Sequence, residues 1–163
     1  MAVPDPPTAR PLIVSKSVHH QNTARIAHVM ADVLGAECLS PDQCPYHMLG
    51  SCTLLGLGSG VFYGRVHADI WRWVQNLPEQ YAATLPVFIF TTSGLPVLTK
   101  LWHWRLKSAL TQKGYDVIAE FSCRGFDTWG PLWLTGGLNR KHPDTRDIQR
   151  VRDFADRIAR LAG

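Results

Sequence analysis

Short apolar runs alternate along the chain with segments of helical periodicity, and this alternation limits the possible folds more than any other feature. Five runs are predicted strands: PLIVS (11–15), AECL (36–39), TLLGLG (53–58), PVFIFTTSG (86–94) and YDVIAEF (115–121). Nearly continuous apolar strands that alternate with amphipathic helices are typical of a parallel sheet covered on both faces. The sequence therefore predicts an α/β fold, a three-layer αβα sandwich with a five-stranded parallel sheet.

Four segments between and after these runs carry apolar residues three and four positions apart, which predicts amphipathic helices. The first ends at Gly35, the second is stopped by Pro78, and the third is closed by Gly114. Their apolar faces are Ile26, Val29, Met30, Val33 and Leu34; Ile70, Trp73, Val74 and Leu77; Leu98, Leu101, Trp102, Arg105 and Ala109; and, from about Thr145, Ile148, Val151, Ala155, Ile158 and Ala162.

The 163 residues fit one compact domain, and a hydrophobic content of 45% with 18% charged residues supplies one sizeable core. We expect a flexible tail at 1–10 and a single domain at 11–163, with a long loop at 122–144 that carries function or a small insertion. The first residues, MAVPDPPTAR, lack the apolar centre of a signal peptide, and four cysteines are too few for a disulfide scaffold. These features predict a cytoplasmic protein without a membrane span.

Several functional classes are disfavoured by the residue pattern. The net charge is +4, but Lys and Arg are spread along the chain, so nucleic-acid binding is not predicted, whereas an anionic partner is permitted. The cysteines at 38, 44 and 52, with His47, lack a CxxC spacing, and we predict no metal site. GLGSG (56–60) fails the dinucleotide pattern GxGxxG, and a GxSxG nucleophile motif is absent.

The residues that follow each strand are the candidates for ligand binding, because open parallel sheets bind ligands beyond the carboxyl ends of their strands. These positions are rich in hydroxyls, glycines and aromatics. The first of them, SVHHQNT (17–23), leads into the first predicted helix, whose free N–H groups and dipole attract anions. Two interpretations stay open from spacing alone: a phosphate binds there, or Asn22 and Thr23 only cap the helix beside exposed histidines.

Three motifs at successive strand ends resemble the flavodoxin-like family of FMN proteins. SVHHQNT (17–23) is similar to its phosphate loop, which ends in Asn-Thr; GSGVFYG (58–64) is similar to the turn after the third strand; and FTTSG (90–94) is similar to the loop that closes over the flavin ring. FSCRGFDTWGP (121–131) resembles a segment of some members of that family. The likeness covers residues 11–161 and implies the strand order 2-1-3-4-5.

The resemblance implies a set of FMN-binding residues. The phosphate would be held by Ser17, His19, His20, Gln21, Asn22 and Thr23. The ring would be flanked by Val61, Phe62, Tyr63 and Gly64, with either Phe62 or Tyr63 in contact with it, and its edge would meet Thr91, Thr92, Ser93 and Gly94. A backbone carbonyl near Gly60 or Gly64 would serve a reduced flavin. Cys123 is either a flavin contact with a favoured thiolate beside Arg124 or a structural thiol.

The resemblance also implies a function, for which three alternatives remain. The first is an electron carrier that works between redox partner proteins, a reductase or an acceptor. The second is an FMN-dependent NAD(P)H or quinone oxidoreductase whose pocket is shaped by 122–144. The third is a partner-binding domain without flavin, because Gly60 replaces the usual Pro and His19-His20-Gln21 replaces small residues. The histidine pair predicts FMN affinity that declines as the imidazoles lose their protons.

The distribution of charge predicts how such a flavin would differ from that of an acidic flavodoxin. Lys16, Arg65, His67 and Arg124 lie near the predicted ligand loops, together with the histidine pair, and Asp127 is the nearest acid in the sequence. Positive charge stabilises a reduced flavin. We therefore expect a less strongly reducing flavin and an acidic partner or an anionic substrate.

Overall fold

A computed structural model describes residues 9–17, 21–62, 64–93, 99–124 and 143–162, with the side chains of Phe62, Thr99, Trp102 and Arg124 left aside. Its strands are β1 (Arg10–Lys16), β2 (Glu37–Leu39), β3 (Cys52–Phe62), β4 (Arg65–Val66), β5 (Val87–Ser93) and β6 (Val117–Arg124). Its helices are α1 (Asn22–Leu34), α2 (Ala68–Gln75), α3 (Thr99–Gln112) and α4 (Thr145–Ala162). Short 3₁₀ turns occupy Pro41–Gln43, Tyr46–Ser51 and Glu79–Tyr81.

Five parallel strands form the central sheet in the order β2-β1-β3-β5-β6, and the two-residue strand β4 pairs antiparallel with the end of β3. Since β4 lies off this path, the predicted order 2-1-3-4-5 of the parallel strands is confirmed. The register pairs Lys16 with Ser59, Ser59 with Thr91, and Thr91 with Ser122. The carboxyl ends of four strands therefore lie at one edge of the sheet.

Two apolar clusters fill the space on the two faces of the sheet, and together they confirm the three-layer arrangement. One cluster joins α1 and α4 to the sheet through Ile26, Met30, Phe90, Phe154 and Ile158. The other joins α2 and α3 through Ile70, Trp73, Val74, Leu106 and Leu110. Strand residues alternate between the clusters, as Phe88 and Phe90 contribute to the first and Val87 and Ile89 to the second.

Two glycines in β3 make room for aromatic rings of β5. Gly56 pairs with Phe88 and Gly58 with Phe90, and a Cβ atom on either glycine would overlap the ring of its neighbour. The rings stand on the face that α1 and α4 cover, with Phe88 edge-on to Phe154 at 6.1 Å between centroids. The glycines of TLLGLG thus serve core packing beside their expected role at the strand end.

The structure corrects three predictions about element faces and ends. β3 continues to Phe62 and turns back through β4, although the glycine-flanked sequence GVFYGRVH (60–67) itself predicts a loop. Leu101 of the predicted α3 face is 57% exposed, and the buried positions of α3 are His103, Leu106 and Leu110. On α4, Ala162 is exposed, while Phe154 is buried. The predicted α3 face failed because the first of these buried positions is a histidine, which the apolar pattern does not include.

Candidate functional site

The carboxyl ends of β1, β3 and β5 bring a row of small polar residues to one level. Ser17 follows Lys16, which pairs with Ser59, and Gly60 pairs with Thr92. Ser17, Gly60 and Thr92 thus stand at about the same height on three adjacent strands, and Ser93 is one residue beyond. At about 4.8 Å between neighbouring strands, this edge spans about 10 Å from β1 to β5.

The first turn of α1 opens onto this edge without a side-chain cap. Its N-cap residue, Gln21, has a left-handed backbone with φ 51°, its side chain makes no capping hydrogen bond, and the first turn contains no acidic residue. The first turn of a helix carries N–H groups outside the intrahelical hydrogen-bond pattern and the positive end of the helix dipole, and both attract anions. The predicted phosphate position is at the start of this helix. The expected histidines His19 and His20 lie outside the described residues.

Two hydroxyls at this edge are buried without a hydrogen-bond partner. They are the Oγ atoms of Ser17, after β1, and Ser93, at the end of β5. A buried polar group that stays unpaired costs about 1–3 kcal/mol, and most buried polar groups in proteins do have a hydrogen-bond partner. This pair fits a ligand that offers hydrogen-bonding groups, as a phosphate ester with a polar ring system does.

Thr23 and Thr92 connect the start of α1 to the end of β5. Their hydroxyls lie 2.7 Å apart, and both side chains are buried. One hydroxyl donates and the other accepts, so the accepting hydroxyl keeps its own proton for a further bond. The expected ligand residues Thr23 and Thr92 are thus brought together by the fold, whereas Asn22 lies in the same turn, half-buried.

The turn between β3 and β4 holds the second group of predicted residues. The Ser59 hydroxyl donates to the carbonyl of Gly60 at 2.6 Å and accepts from the N–H of His67 at 2.8 Å, which closes the turn from below. Gly60 is part of the strand, while Gly64 has φ 71°, a conformation that only glycine adopts freely. Gly60 and Gly64 are the two glycines whose backbone carbonyl is predicted to serve a reduced flavin. Of these two, Gly64 is the one outside the strand and therefore the one whose peptide can change its orientation. Val61 is half-buried; the side chain of Phe62, and Tyr63, lie outside the described residues.

A chain of hydrogen bonds runs from β5 through α3 to β6, and sequence reasoning missed it. The Thr91 hydroxyl lies 2.8 Å from His103 Nε2, His103 Nδ1 lies 3.1 Å from Glu120 Oε2, and Lys107 Nζ donates to Glu120 Oε1 at 2.8 Å. We name these four residues the His103 network. His103 is only 3% exposed, and burial is the main cause that holds its pKa below the ordinary value, although Glu120 opposes this.

The protonation of the network follows from these contacts. Burial alone would raise the pKa of Glu120, but the hydrogen bonds and charges of Lys107 and His103 outweigh it and lower that pKa. An anionic Glu120 accepts from His103 Nδ1–H, and the neutral ring then accepts the Thr91 proton at Nε2. Donor, base and orienting carboxylate stand in the order of a catalytic triad, but Thr91 is buried.

A cleft of about 190 Å³ lies beside Gly64, between the β3–β4 turn, α2 and α3. Its lining includes the guanidinium groups of Arg65 and Arg105 and the indole of Trp71, with Arg105 stacked over that indole at 5.5 Å. Such a cleft suits a flat or anionic molecule. Trp104, one position from Arg105, is 64% exposed.

The charges at the edge are more balanced than the sequence indicates. Lys16 pairs with Asp69 Oδ2 at 3.1 Å, and this ion pair lowers the pKa of Asp69. His67 caps α2, since its Nδ1 accepts from the N–H of Asp69. Asp69 is therefore an acid beside the predicted ligand loops that the sequence does not indicate, and Asp127 lies outside the described residues. Arg65 keeps an exposed positive charge.

Cys123 pairs with Thr92 at the level of the edge, but its side chain lies in the core. It is 2% exposed among residues of the cluster beneath α1 and α4. Burial, followed by the charge of Asp147, raises its pKa to about 12, so the favoured thiolate expected beside Arg124 is wrong. The structural interpretation of this thiol is the one that fits.

Some residues named in the sequence predictions belong to parts of the chain that the structure does not describe. Gly94 and most of the 122–144 loop lie outside the described residues, as do 1–8 of the expected tail. Within the described part of the chain, no three His, Cys, Asp or Glu side chains come together as metal ligands, and burial raises the pKa of Cys38 and of Cys44 to about 11. No described helix combines the length and apolar character needed to cross a membrane.

Comparison with solved structures shows the fold. The chain resembles Flavodoxin 2 from Bacillus cereus, with a TM-score of 0.67 and 16% identity over 93% of this chain and 97% of that one. It resembles the flavodoxin WrbA-like protein from Agrobacterium tumefaciens, with a TM-score of 0.67 and 15% identity over 94% and 97%. It also resembles rubredoxin oxygen:oxidoreductase from Desulfovibrio gigas, with a TM-score of 0.70 and 16% identity; it spans 36% of that longer chain, and 96% of this one is covered.

Comparison of sequences adds a nearer relative. No family model matches the chain. The uncharacterized protein MJ0298 of Methanocaldococcus jannaschii is 36% identical over 147 residues, which cover 90% of this chain and 96% of that protein. The chain therefore has a flavodoxin-like fold and belongs to the same family as MJ0298.

Proposed function

We propose that this protein binds FMN at the carboxyl edge of its sheet and carries electrons between redox partner proteins. The observation that carries the proposal is the pair of buried, unpartnered hydroxyls of Ser17 and Ser93 beside the uncapped first turn of α1. The resemblance of three strand-end motifs to FMN proteins supports the same ligand. FMN, when bound, supplies one- and two-electron transfer, while the protein orients it and tunes its potential.

The first turn of α1 would hold the phosphate. The left-handed Gln21 starts the helix so that its first N–H groups point out of the helix toward the ligand, and Ser17 would donate its free hydroxyl. Asn22 and Thr23 belong to the same turn, and His19 and His20 would add positive charge next to an ester that carries about −1.5 to −2 charges. Thr23 would also fix the distance to β5 through Thr92.

The ends of β3 and β5 would hold the ring. Val61, Phe62, Tyr63 and Gly64 would flank one side of it, and Thr91, Thr92, Ser93 and Gly94 would meet its edge. Ser93 brings the second unpartnered hydroxyl to this side. Gly64, with its positive φ, would let its peptide turn toward a reduced ring without steric cost.

The charges around the site favour a partner that carries negative charge. Arg65 and Arg105 remain exposed beside the β3–β4 turn, whereas Lys16 is neutralised by Asp69. We therefore keep an acidic redox partner and a less strongly reducing flavin as parts of the proposal. A flavin potential as low as that of a strongly reducing, acidic flavodoxin would contradict this part alone.

Electron transfer is tested with the FMN-loaded protein under anaerobic conditions. We expect NADPH alone to leave the flavin oxidised and an added NADPH-dependent flavodoxin reductase to bleach its absorbance at the visible maximum. Loss of FMN during gel filtration, with no bleaching by either mixture, would contradict the proposal and favour a partner-binding domain without flavin.

The cleft beside Gly64 favours one second candidate, an FMN-dependent NAD(P)H or quinone oxidoreductase. Arg105 over Trp71, together with Arg65 in the same lining, would bind an anionic or flat substrate close to the proposed ring. This candidate predicts steady oxidation of NADPH with a quinone in the absence of any reductase. Arg105→Gln should then raise KM, while Arg152→Gln, on the exposed side of α4, should not.

A further inference from the structure

The His103 network connects the proposed flavin edge to the protein surface. Thr91 lies two residues before the end of β5, and His103 lies four residues into α3, about 6 Å from the start of that helix. At the other end, Glu120 and Lys107 reach solvent. The network therefore offers a path of hydrogen bonds between a buried position next to the strand ends and the outside.

We propose that His103 binds a proton when a flavin at this edge is reduced and releases it when the flavin is oxidised again. This inference rests on the proposed function. It goes beyond it, because it assigns to a buried histidine of α3 the role of a redox-linked proton acceptor. The proton on His103 offsets the negative charge of the reduced flavin, and His103 does not itself react with the flavin.

The geometry gives His103 a free site for that proton. With Nδ1–H donating to Glu120, the Nε2 lone pair accepts only the Thr91 hydroxyl. Thr91 can turn its hydroxyl and accept from Nε2–H, so protonation of His103 breaks no contact and reverses one hydrogen bond. The reversal leaves the Thr91 proton free to point elsewhere, and Glu120 then faces a full imidazolium.

The charges around His103 set the direction of its response. The groups that act on it are Glu120 from β6 and Lys107 from its own helix, while β5 contributes the neutral Thr91. α2 also packs against α3 and places Trp71 against Arg105. Burial keeps the ring neutral in the oxidised protein, and an added negative charge at the strand ends favours its protonated form.

The balance of the step is simple. Two electrons come from the reductase partner and later leave to an acceptor. The two electrons enter with one proton that the flavin takes from solvent, so the site gains one net negative charge, and a second proton from solvent forms the Nε2–H bond of His103. The bond breaks again on oxidation, and the proton returns to solvent past Glu120.

The direct test follows the His103 imidazole by NMR in three states: apoprotein, FMN-loaded oxidised protein and FMN-loaded reduced protein. We expect the pKa of His103 to rise on reduction, and the imidazole signals of the exposed His47 serve as the reference. An equal His103 pKa in the oxidised and reduced proteins would overturn the inference, even where FMN binds. Failure to bind FMN at all would instead contradict the proposed function, so the two failures are distinguishable.

The second test measures the two-electron midpoint potential of the FMN-loaded protein against pH. At pH values between the His103 pKa of the oxidised protein and that of the reduced protein, the midpoint potential of wild type should fall with pH more steeply than that of His103→Gln. The difference in slope should be about 30 mV per pH unit. This is the tenfold change per pH unit for one proton, converted for two electrons. His47→Gln should keep the wild-type slope. Equal slopes for wild type and H103Q would count against the proton role.

A role of His103 as a mere tether between α3 and the sheet would lower stability in H103Q without changing that slope. If H103Q does not fold, Glu120→Gln offers a second variant at the surface end of the network. Removal of the carboxylate should lower the His103 pKa in both redox states, and the steep segment of the curve should move to lower pH. An unchanged position of that segment in E120Q would overturn the inference.

Discussion

The hydroxyl of Thr23, in the first turn of α1, lies 2.7 Å from the hydroxyl of Thr92, near the end of β5. The two residues are 69 positions apart, and β3 lies between β5 and β1, the strand that precedes α1. This buried bond ties the proposed phosphate end of the site to the proposed ring end. The geometry of the site therefore depends on the pairing of distant strands and on one hydrogen bond between side chains.

Replacement of either threonine by valine should lower stability, because the other hydroxyl is left buried and unpaired. We expect Thr23→Val and Thr92→Val each to cost about 1–3 kcal/mol in the free energy of unfolding, measured by urea denaturation. The double variant should lose clearly less free energy of unfolding than the sum of the two single losses, since it leaves no buried hydroxyl without a partner. Thr53→Val, at an exposed position of β3, is the control. Additive losses would show that the two hydroxyls do not depend on each other.

Ser17→Ala and Ser93→Ala should leave the apoprotein as stable as before or slightly more stable, but should weaken the binding of FMN. Each removes a buried hydroxyl without a partner, so the apoprotein should be as stable as wild type or slightly more stable. FMN should bind about tenfold more weakly, or weaker still for Ser17, because a bond to a charged group contributes about 1.5–3 kcal/mol. Thermal denaturation and FMN titration measure the two effects, with Ser108→Ala as the control. Unchanged FMN affinity in both variants would remove these hydroxyls from the site.

Gly58→Ala should destabilise the fold, because the new methyl group would overlap the ring of Phe90. An overpacked core typically costs about 1–3 kcal/mol. Gly50→Ala is the matched control, since its methyl would meet Tyr81 only at ordinary contact, 3.8 Å from Cε1. Chemical denaturation compares the two variants. Similar midpoints for G58A and G50A would contradict the close packing of β3 against β5.

Stability should fall as the pH drops through the histidine range, with His103 as a contributor. Its pKa is lower in the folded protein than in the unfolded chain, so the unfolded chain binds the proton first. The loss begins near the ordinary histidine pKa and continues down to the lowered pKa of the folded state. Denaturation of wild type and H103Q at several pH values checks this. A profile for H103Q as steep as that of wild type would assign the dependence to other groups, while the lowered pKa of Glu120 acts at more acidic pH.

Most of the fold could be predicted from the sequence, because the patterns that indicate its strands and helices involve residues close together along the chain. Apolar runs for β1, β3, β5 and β6, and clean helical periodicity in α1, α2 and α4, each arise from neighbours along the chain. The α3 face was not readable. His103 is buried because Thr91 and Glu120, from two strands, satisfy its ring, and Leu101 is left exposed instead. No spacing within α3 carries that information.

The candidate site was predicted in part for the same reason. The approach of Thr23 to Thr92 and the level of Ser17 follow from strand order and register. The ion pair of Lys16 with Asp69, the burial of Cys123 and the turn of β3 into β4 depend on tertiary contacts that a linear reading does not contain. One signal was available in the sequence. His103 stands three residues before Leu106, which in turn stands four before Leu110, and this helical spacing places the histidine on the same buried face as the two leucines.

The most direct test of the account compares FMN with riboflavin as ligands of the purified protein, by absorbance and fluorescence titration. The two molecules share the ring, and only FMN carries the phosphate that the first turn of α1 would hold. We expect a one-to-one complex with FMN and much weaker binding of riboflavin, with FMN affinity greater at pH 6 than at pH 8. Equal affinity for both ligands, or no binding of either, would contradict a phosphate-anchored flavin at this edge.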